Sequence, residues 1–112
     1  MPNVVEDIPH PARDELELAA VLHALSEPVR LEMVAWLAAS ERDDAPTCGA
    51  FDAPVTKSTC THHFKVLREA GVIQQRARGT ARLNTLRRDD LEARFPGLLD
   101  AILSSATLPA RA

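Results

Sequence analysis

Five side chains suited to nucleic-acid chemistry sit close together in the middle of the chain. Ser58, Thr61, His62, Lys65 and Arg68 recur at the three- and four-residue steps that place groups on one side of a helix. They offer two hydroxyls, an imidazole, an ammonium and a guanidinium, and no acid interrupts them until Glu69. Lys57 adds a further cation at the start of the run. Such a face suits phosphate oxygens and base edges in a DNA major groove. Cys60, His63, Phe64, Leu67 and Ala70 interleave with it as an apolar stripe, so the same segment has an inner and an outer side.

The second reactive set is the pair Cys48 and Cys60. A thiol near a helix start, as expected for Cys48, has a lowered pKa and raised reactivity. Cys60 lies on the inner stripe, where cysteine also serves as a small buried hydrophobe. Oxidation of Cys48 to a sulfenic acid and its capture by Cys60 would be reversible by thiols. A metal reading competes with this one. Zinc takes four ligands, and Cys48, Cys60 and His63 supply at most three on one side of the helix. No metal and no cofactor is therefore expected. No oxyanion hole, phosphate loop or oriented base accompanies the cysteines, so the chain is not read as an enzyme.

These groups need a helix over residues 56–70. Thr56 is its expected N-cap, and Gly71 its stop, because glycine takes the left-handed conformation freely. Two short strand-like runs follow, 72–77 and 81–86, around Arg78-Gly79-Thr80, a hairpin signal. Arg76, Arg78 and Arg82 make this hairpin basic and add DNA-backbone or minor-groove contacts. A reading helix followed at once by a basic hairpin is the layout of a winged helix-turn-helix. The expected fold class is mainly α with a small β-hairpin.

Charge is distributed accordingly. The chain of 112 residues carries a net −3, which does not advertise nucleic-acid binding. Between Lys57 and Arg88, however, eight cations face one acid, a net of +7 that leaves −10 on the remainder. This asymmetry predicts a local basic surface on an acidic body. The length fits one domain, and no apolar run approaches a membrane span. The acidic, proline-rich start lacks the pattern of a signal peptide, so a cytoplasmic protein is expected.

Along the chain, residues 1–12 read as a flexible arm, 13–105 as the winged helix-turn-helix domain and 106–112 as a frayed tail. A helix is expected from Arg13 or Asp14, apolar over much of its circumference. Ser26-Glu27-Pro28 starts the next, running to about Ala39 with Val29, Met33, Val34 and Leu37 inward and Arg30 in a structural role. Residues 47–52 form a short helix before the reading helix. Asp89 or Asp90 caps the last helix. Pro96-Gly97 either kinks that helix or separates a short turn from a helix that begins at Pro96. Leu18, Val21, Leu22, Leu98, Leu99, Ile102 and Leu103 exceed what one small domain hides, which predicts a homodimer formed by the first and last helices.

The run TKSTCTHHFKVLREAGVI followed by QQRARGTARLNTL, with LHALSEPVRLEMVAWLA upstream, resembles the ArsR/SmtB family of small dimeric bacterial repressors. The resemblance spans residues 18–103. It implies a sequence-specific repressor, a double-stranded operator built as an imperfect inverted repeat, and dimerisation through the first and last helices. The chain departs from the family in three places. TCGAFDAP replaces a longer leucine- and alanine-rich helix, the clustered cysteines of the family's arsenic and cadmium sites are missing, and the last helix has no histidine for an inter-subunit zinc site. The runner-up readings are a metal- or metalloid-responsive repressor using Cys48, Cys60 and His63, and a winged-helix protein-interaction module that does not bind DNA.

Overall fold

The computed structural model describes residues 5–39 and 55–106. Five α-helices and a three-stranded antiparallel sheet make up the described residues: β1 (Glu6–Asp7), α1 (Leu18–Leu25), α2 (Pro28–Ala39), α3 (Lys57–Glu69), β2 (Ile73–Arg78), β3 (Ala81–Leu86), α4 (Arg88–Arg94) and α5 (Leu98–Ser105). The short helix expected at residues 47–52 lies outside the described residues, as does Cys48. Helices and hairpin together form a winged helix-turn-helix, with α3 and the β2–β3 wing in the expected order.

The helix α3 begins and ends as its sequence dictates. The Thr56 hydroxyl oxygen accepts the Thr59 backbone N–H at 3.1 Å, satisfying one orphan donor of the first turn. At the other end Gly71 N–H donates to the Arg68 carbonyl at 3.0 Å and Val72 N–H to the Leu67 carbonyl at 2.9 Å. That crossed pair is a Schellman closure, and it needs a left-handed residue at Gly71, whose φ is +86°. Any side chain at Gly71 would also overlap Leu16. The wing turns in two residues, with Gly79 at φ +63°.

The core is one cluster of buried apolar side chains. Val21, Ala24 and Leu25 from α1, Met33, Val34 and Leu37 from α2, and Cys60, Phe64 and Leu67 from α3 meet Val72, Ile73, Leu91 and Leu99. Among the described residues no helix is long and apolar enough to cross a membrane.

Among the described residues of the segment read as a flexible arm, 5–12 are tied to the domain. Glu6 and Asp7 pair with Ala77 and Arg76 as a third, edge strand of the sheet. Ile8 N–H continues the ladder to the Gln75 carbonyl at 3.0 Å. Pro9 and Pro11 break the chain between attachment points. Arg87 donates to the Pro11 carbonyl at 2.7 Å, Arg13 pairs with Asp90 at 2.7 Å, and Arg94 donates to the Leu16 carbonyl at 2.6 Å. The segment is thus a strap from the wing across Gly71 to α4. Consequently the helix expected from Arg13 is a single 3-10 turn over Arg13–Glu15, and α1 starts at Leu18. Leu16 leaves the helical register and is buried beneath Gly71.

At the C-terminal end the second of the two sequence alternatives comes closer. Gly97, at φ +81°, separates α4 from α5. Neither Asp89 nor Asp90 is the cap of α4; Arg87 holds the N-cap position, and both acids lie in the first turn, where the helix dipole favours them. Asp90 accepts from Arg13 and from Arg87, at 2.9 Å, and these guanidinium hydrogen bonds hold its carboxyl below the usual carboxylate range against the effect of burial.

Candidate nucleic-acid interface

The two faces of α3 separate as the periodicity requires. Cys60, His63, Phe64, Leu67 and Ala70 are buried, while Lys57, Ser58, Thr61, His62 and Lys65 are exposed. The exposed five present hydroxyl, imidazole and ammonium groups along one side. Among the described residues Lys57 and Lys65 have no ion-pair partner, which leaves both charges available to an external anion.

Arg68 does not belong to that outer face. Its side chain is turned toward the wing, where Nη1 donates to Gln75 Oε1 at 2.9 Å and Nη2 lies 3.9 Å from Glu69. The helical step count is right, but a long side chain near the helix end reaches a polar acceptor on the adjoining strand. Arg87 and Arg88, counted in the basic segment, are committed as well, to Asp90 and to Asp100 at 3.7 Å. The outward-facing basic surface is therefore smaller than the sequence count.

The wing arginines also divide. Residues directly opposed in an antiparallel ladder project to the same face, and successive residues alternate. Gln75 opposes Asn84 and Ala77 opposes Arg82, so Arg82 shares the face of Gln75 and Asn84. Arg76 and Arg78 project to the other face, with Leu83 and Ala81 opposite them. Arg78 and Arg82 are exposed near the tip; Arg76 is half-buried and its Nε is enclosed without a hydrogen-bond partner among the described residues. Asp7 on the added strand lies opposite Arg76 and accepts from the Gln74 amide at 3.0 Å. One acid of the N-terminal segment thus sits beside the wing's cations, a placement no local sequence signal gave.

A buried polar cluster supports α3 from within. Arg30 Nε donates to the Ala24 carbonyl at 2.7 Å, closing the end of α1, and its Nη1 donates to His63 Nδ1 at 3.2 Å. This bears out the structural role expected for Arg30. Because guanidinium only donates, His63 Nδ1 must be the unprotonated acceptor, which places the ring hydrogen on Nε2. Nε2 lies 3.6 Å from Glu27 Oε2, the same oxygen that accepts the Arg30 backbone N–H at 2.9 Å. Burial pushes the His63 pKa below its ordinary value, Arg30 and His62 push it the same way, and Glu27 opposes them. Burial tends to raise the Glu27 pKa, but the backbone N–H groups of Arg30 and Val29, helped by the charges of His63 and Arg30, leave it lowered.

This geometry bears on both effector readings. His63 has one ring nitrogen engaged by Arg30 and the other directed toward Glu27, so it would have to abandon Arg30 or turn from Glu27 to join a metal site with Cys48 and Cys60. Cys60 itself is buried. The chain contains two cysteines, and the other, Cys48, lies outside the described residues.

The residues expected at the dimer interface divide as well. Leu18 and Leu22 are 46% and 43% exposed on α1, and Leu98, Ile102 and Leu103 are half-buried on or beside the α5 core face. Val21 and Leu99, by contrast, are buried within the subunit, so they build its core and cannot report on a partner.

Comparison with known proteins places this architecture. Residues 25–76 match the family model described as a helix-turn-helix domain, a stretch that contains α2, α3 and the start of β2. An uncharacterized HTH-type transcriptional regulator, YceK, of Bacillus subtilis (strain 168) is 31% identical over 91 residues, covering 80% of this chain and 89% of the relative.

Proposed function

The chain belongs to the helix-turn-helix transcriptional regulators, and from that premise we propose that it is a homodimeric, sequence-specific repressor of the ArsR type whose DNA affinity responds to thiol oxidation. The observation that carries the DNA reading is the exposed row Lys57, Ser58, Thr61, His62 and Lys65, held on a helix whose opposite side is locked into the core. Ser58, Thr61 and His62 meet base edges in the major groove, and Lys57 and Lys65 meet phosphates. Arg78 and Arg82, exposed on opposite faces near the wing tip, straddle the neighbouring backbone, and Arg76 contributes charge from the strand. The exposed Leu18 and Leu22 meet the partner subunit together with Ile102 and Leu103. Two such helices related by a two-fold axis read an imperfect inverted repeat with half-sites about one helical turn apart, or a multiple of it.

Control is supported by where Cys60 lies. Peroxide converts the Cys48 thiolate to a sulfenic acid, being reduced to water; the Cys60 thiolate attacks that sulfur, hydroxide leaves, and a disulfide forms. A bond at the inner face of α3 ties the support of the reading row to the state of the two sulfurs, and base contacts tolerate little displacement. In a cytoplasmic protein a reversible disulfide of this kind fits a sensor better than a permanent brace.

The test is a binding titration on duplexes selected from a random-sequence library, at several salt concentrations, with dithiothreitol or diamide, on wild type, Cys48→Ser and Cys60→Ser. Tight, salt-dependent binding by the reduced wild type and by both variants, lost on oxidation of the wild type alone, is the expected result. Equal affinity of reduced and oxidised wild type would refute the redox control and leave DNA binding standing.

A further inference from the structure

Three buried or half-buried polar side chains cross from the reading helix into the wing. Arg68 on α3 donates to Gln75 Oε1 on β2 at 2.9 Å, and Gln75 Nε2 donates to Asn84 Oδ1 on β3 at 2.7 Å. Gln75 and Asn84 are directly opposed partners in the hairpin ladder and are buried, Asn84 completely. Asn84 Nδ2 lies 3.4 Å from the Arg82 carbonyl, two residue pairs nearer the wing tip. On its other edge the Gln75 carbonyl accepts Ile8 N–H from the N-terminal strand. One residue thus joins the reading helix, both hairpin strands and the strap.

An apolar pair at these two positions would bury as well and avoid the desolvation of two amides. What the amides add is direction. Residues 70–72 alone link α3 to β2, and rotation about so short a connector would swing the wing tip while leaving apolar contacts largely interchangeable. Arg68 Nε is enclosed without a hydrogen-bond partner among the described residues, but the amide chain still favours this geometry, because breaking it would strand further buried donors and acceptors.

We infer that Gln75, with Arg68 and Asn84, is the positioning element that fixes the wing relative to the reading helix, so that α3 and the wing-tip arginines engage one DNA site together. Arg68 acts here through Gln75 and not on phosphate. The inference rests on the DNA interface proposed above.

A double-mutant cycle tests it on the full chain, with wild-type-selected duplex as probe. In the wild-type background Arg78→Ala should weaken binding about fivefold and lower the salt slope by about one, as loss of a phosphate contact does. In Gln75→Leu the same change should alter affinity less than about twofold, because the tip no longer reaches its phosphate. Gln75→Glu, which keeps an acceptor for Arg68 and lets the Asn84 amide turn to donate, should restore most of the Arg78 effect. If Gln75→Leu fails to fold, Arg68→Met severs the helix side while keeping the hairpin amides paired, and should uncouple Arg78 equally. An Arg78→Ala penalty of the same size in every background, or none in the wild type, overturns the positioning role while wild-type binding still stands. Absence of salt-dependent binding by the wild type removes the DNA interface and this inference with it.

Discussion

The reading helix and the wing carry cations at similar density, yet they commit them differently. On α3 the period of 3.6 sorts side chains by the core they must fill, and every group at the outward phase from Lys57 to Lys65 is exposed. On the wing the period is two, and the ladder register sends Arg82 to one face and Arg76 and Arg78 to the other. One helix face therefore makes a contiguous row, while one hairpin makes a cationic tip with two sides. A basic count along a sequence does not distinguish these outcomes; the element's period and its pairing do.

The largest expected effect separates the core side of the helix from the open side of the wing. Phe64→Ala should cost about 3–5 kcal/mol, since Phe64 is among the largest fully buried side chains. Thr85→Ala, exposed on β3, should stay within about 0.5 kcal/mol. Urea unfolding of both variants checks the contrast, and comparable losses would mean that the wing is as tightly packed as α3.

A smaller effect sharpens the outward row. His62→Ala should cost about 1–3 kcal/mol of discrimination between selected and scrambled duplexes, as loss of a base contact does, with folding stability unchanged. Lys65→Ala should weaken both duplexes alike and lower the salt slope by about one. If His62→Ala also acts on both duplexes alike, that ring touches backbone and the base-reading row is shorter.

The smallest concerns the cluster beneath α3. Because the folded protein holds the His63 pKa below the ordinary 6.5, the unfolded chain binds that proton first as acid is added. Stability should be level above about pH 6.5, decline as pH falls from there toward the lowered folded value, and then level off with respect to this group. His63→Gln, which can still accept from Arg30, should flatten that decline. Glu27 and Asp90, whose pKa values are lowered, cost stability only at more acidic pH, in the carboxylate range. Denaturant midpoints at half-unit pH steps resolve the two windows, and a decline of equal size in His63→Gln would assign it to another group.

Sequence by itself determined α3, its two faces and the wing turn. Thr56, the inner stripe and Gly71 specify that helix locally, through a cap, a period and a left-handed closure, and Gly79 marks the wing turn in the same way. The winged helix-turn-helix layout was legible because its evidence lies within a few residues of each signal. Tertiary structure alone decided the rest. It recruited Glu6 and Asp7 into the sheet and took Leu16 out of α1, since strand pairing and the space beneath Gly71 join residues some 55 to 70 positions apart. It turned Arg68 inward because Gln75 offered an acceptor that no helical period reveals. It also buried Gln75 and Asn84 as a pair, because cross-strand register, and not composition, decides which polar side chains meet.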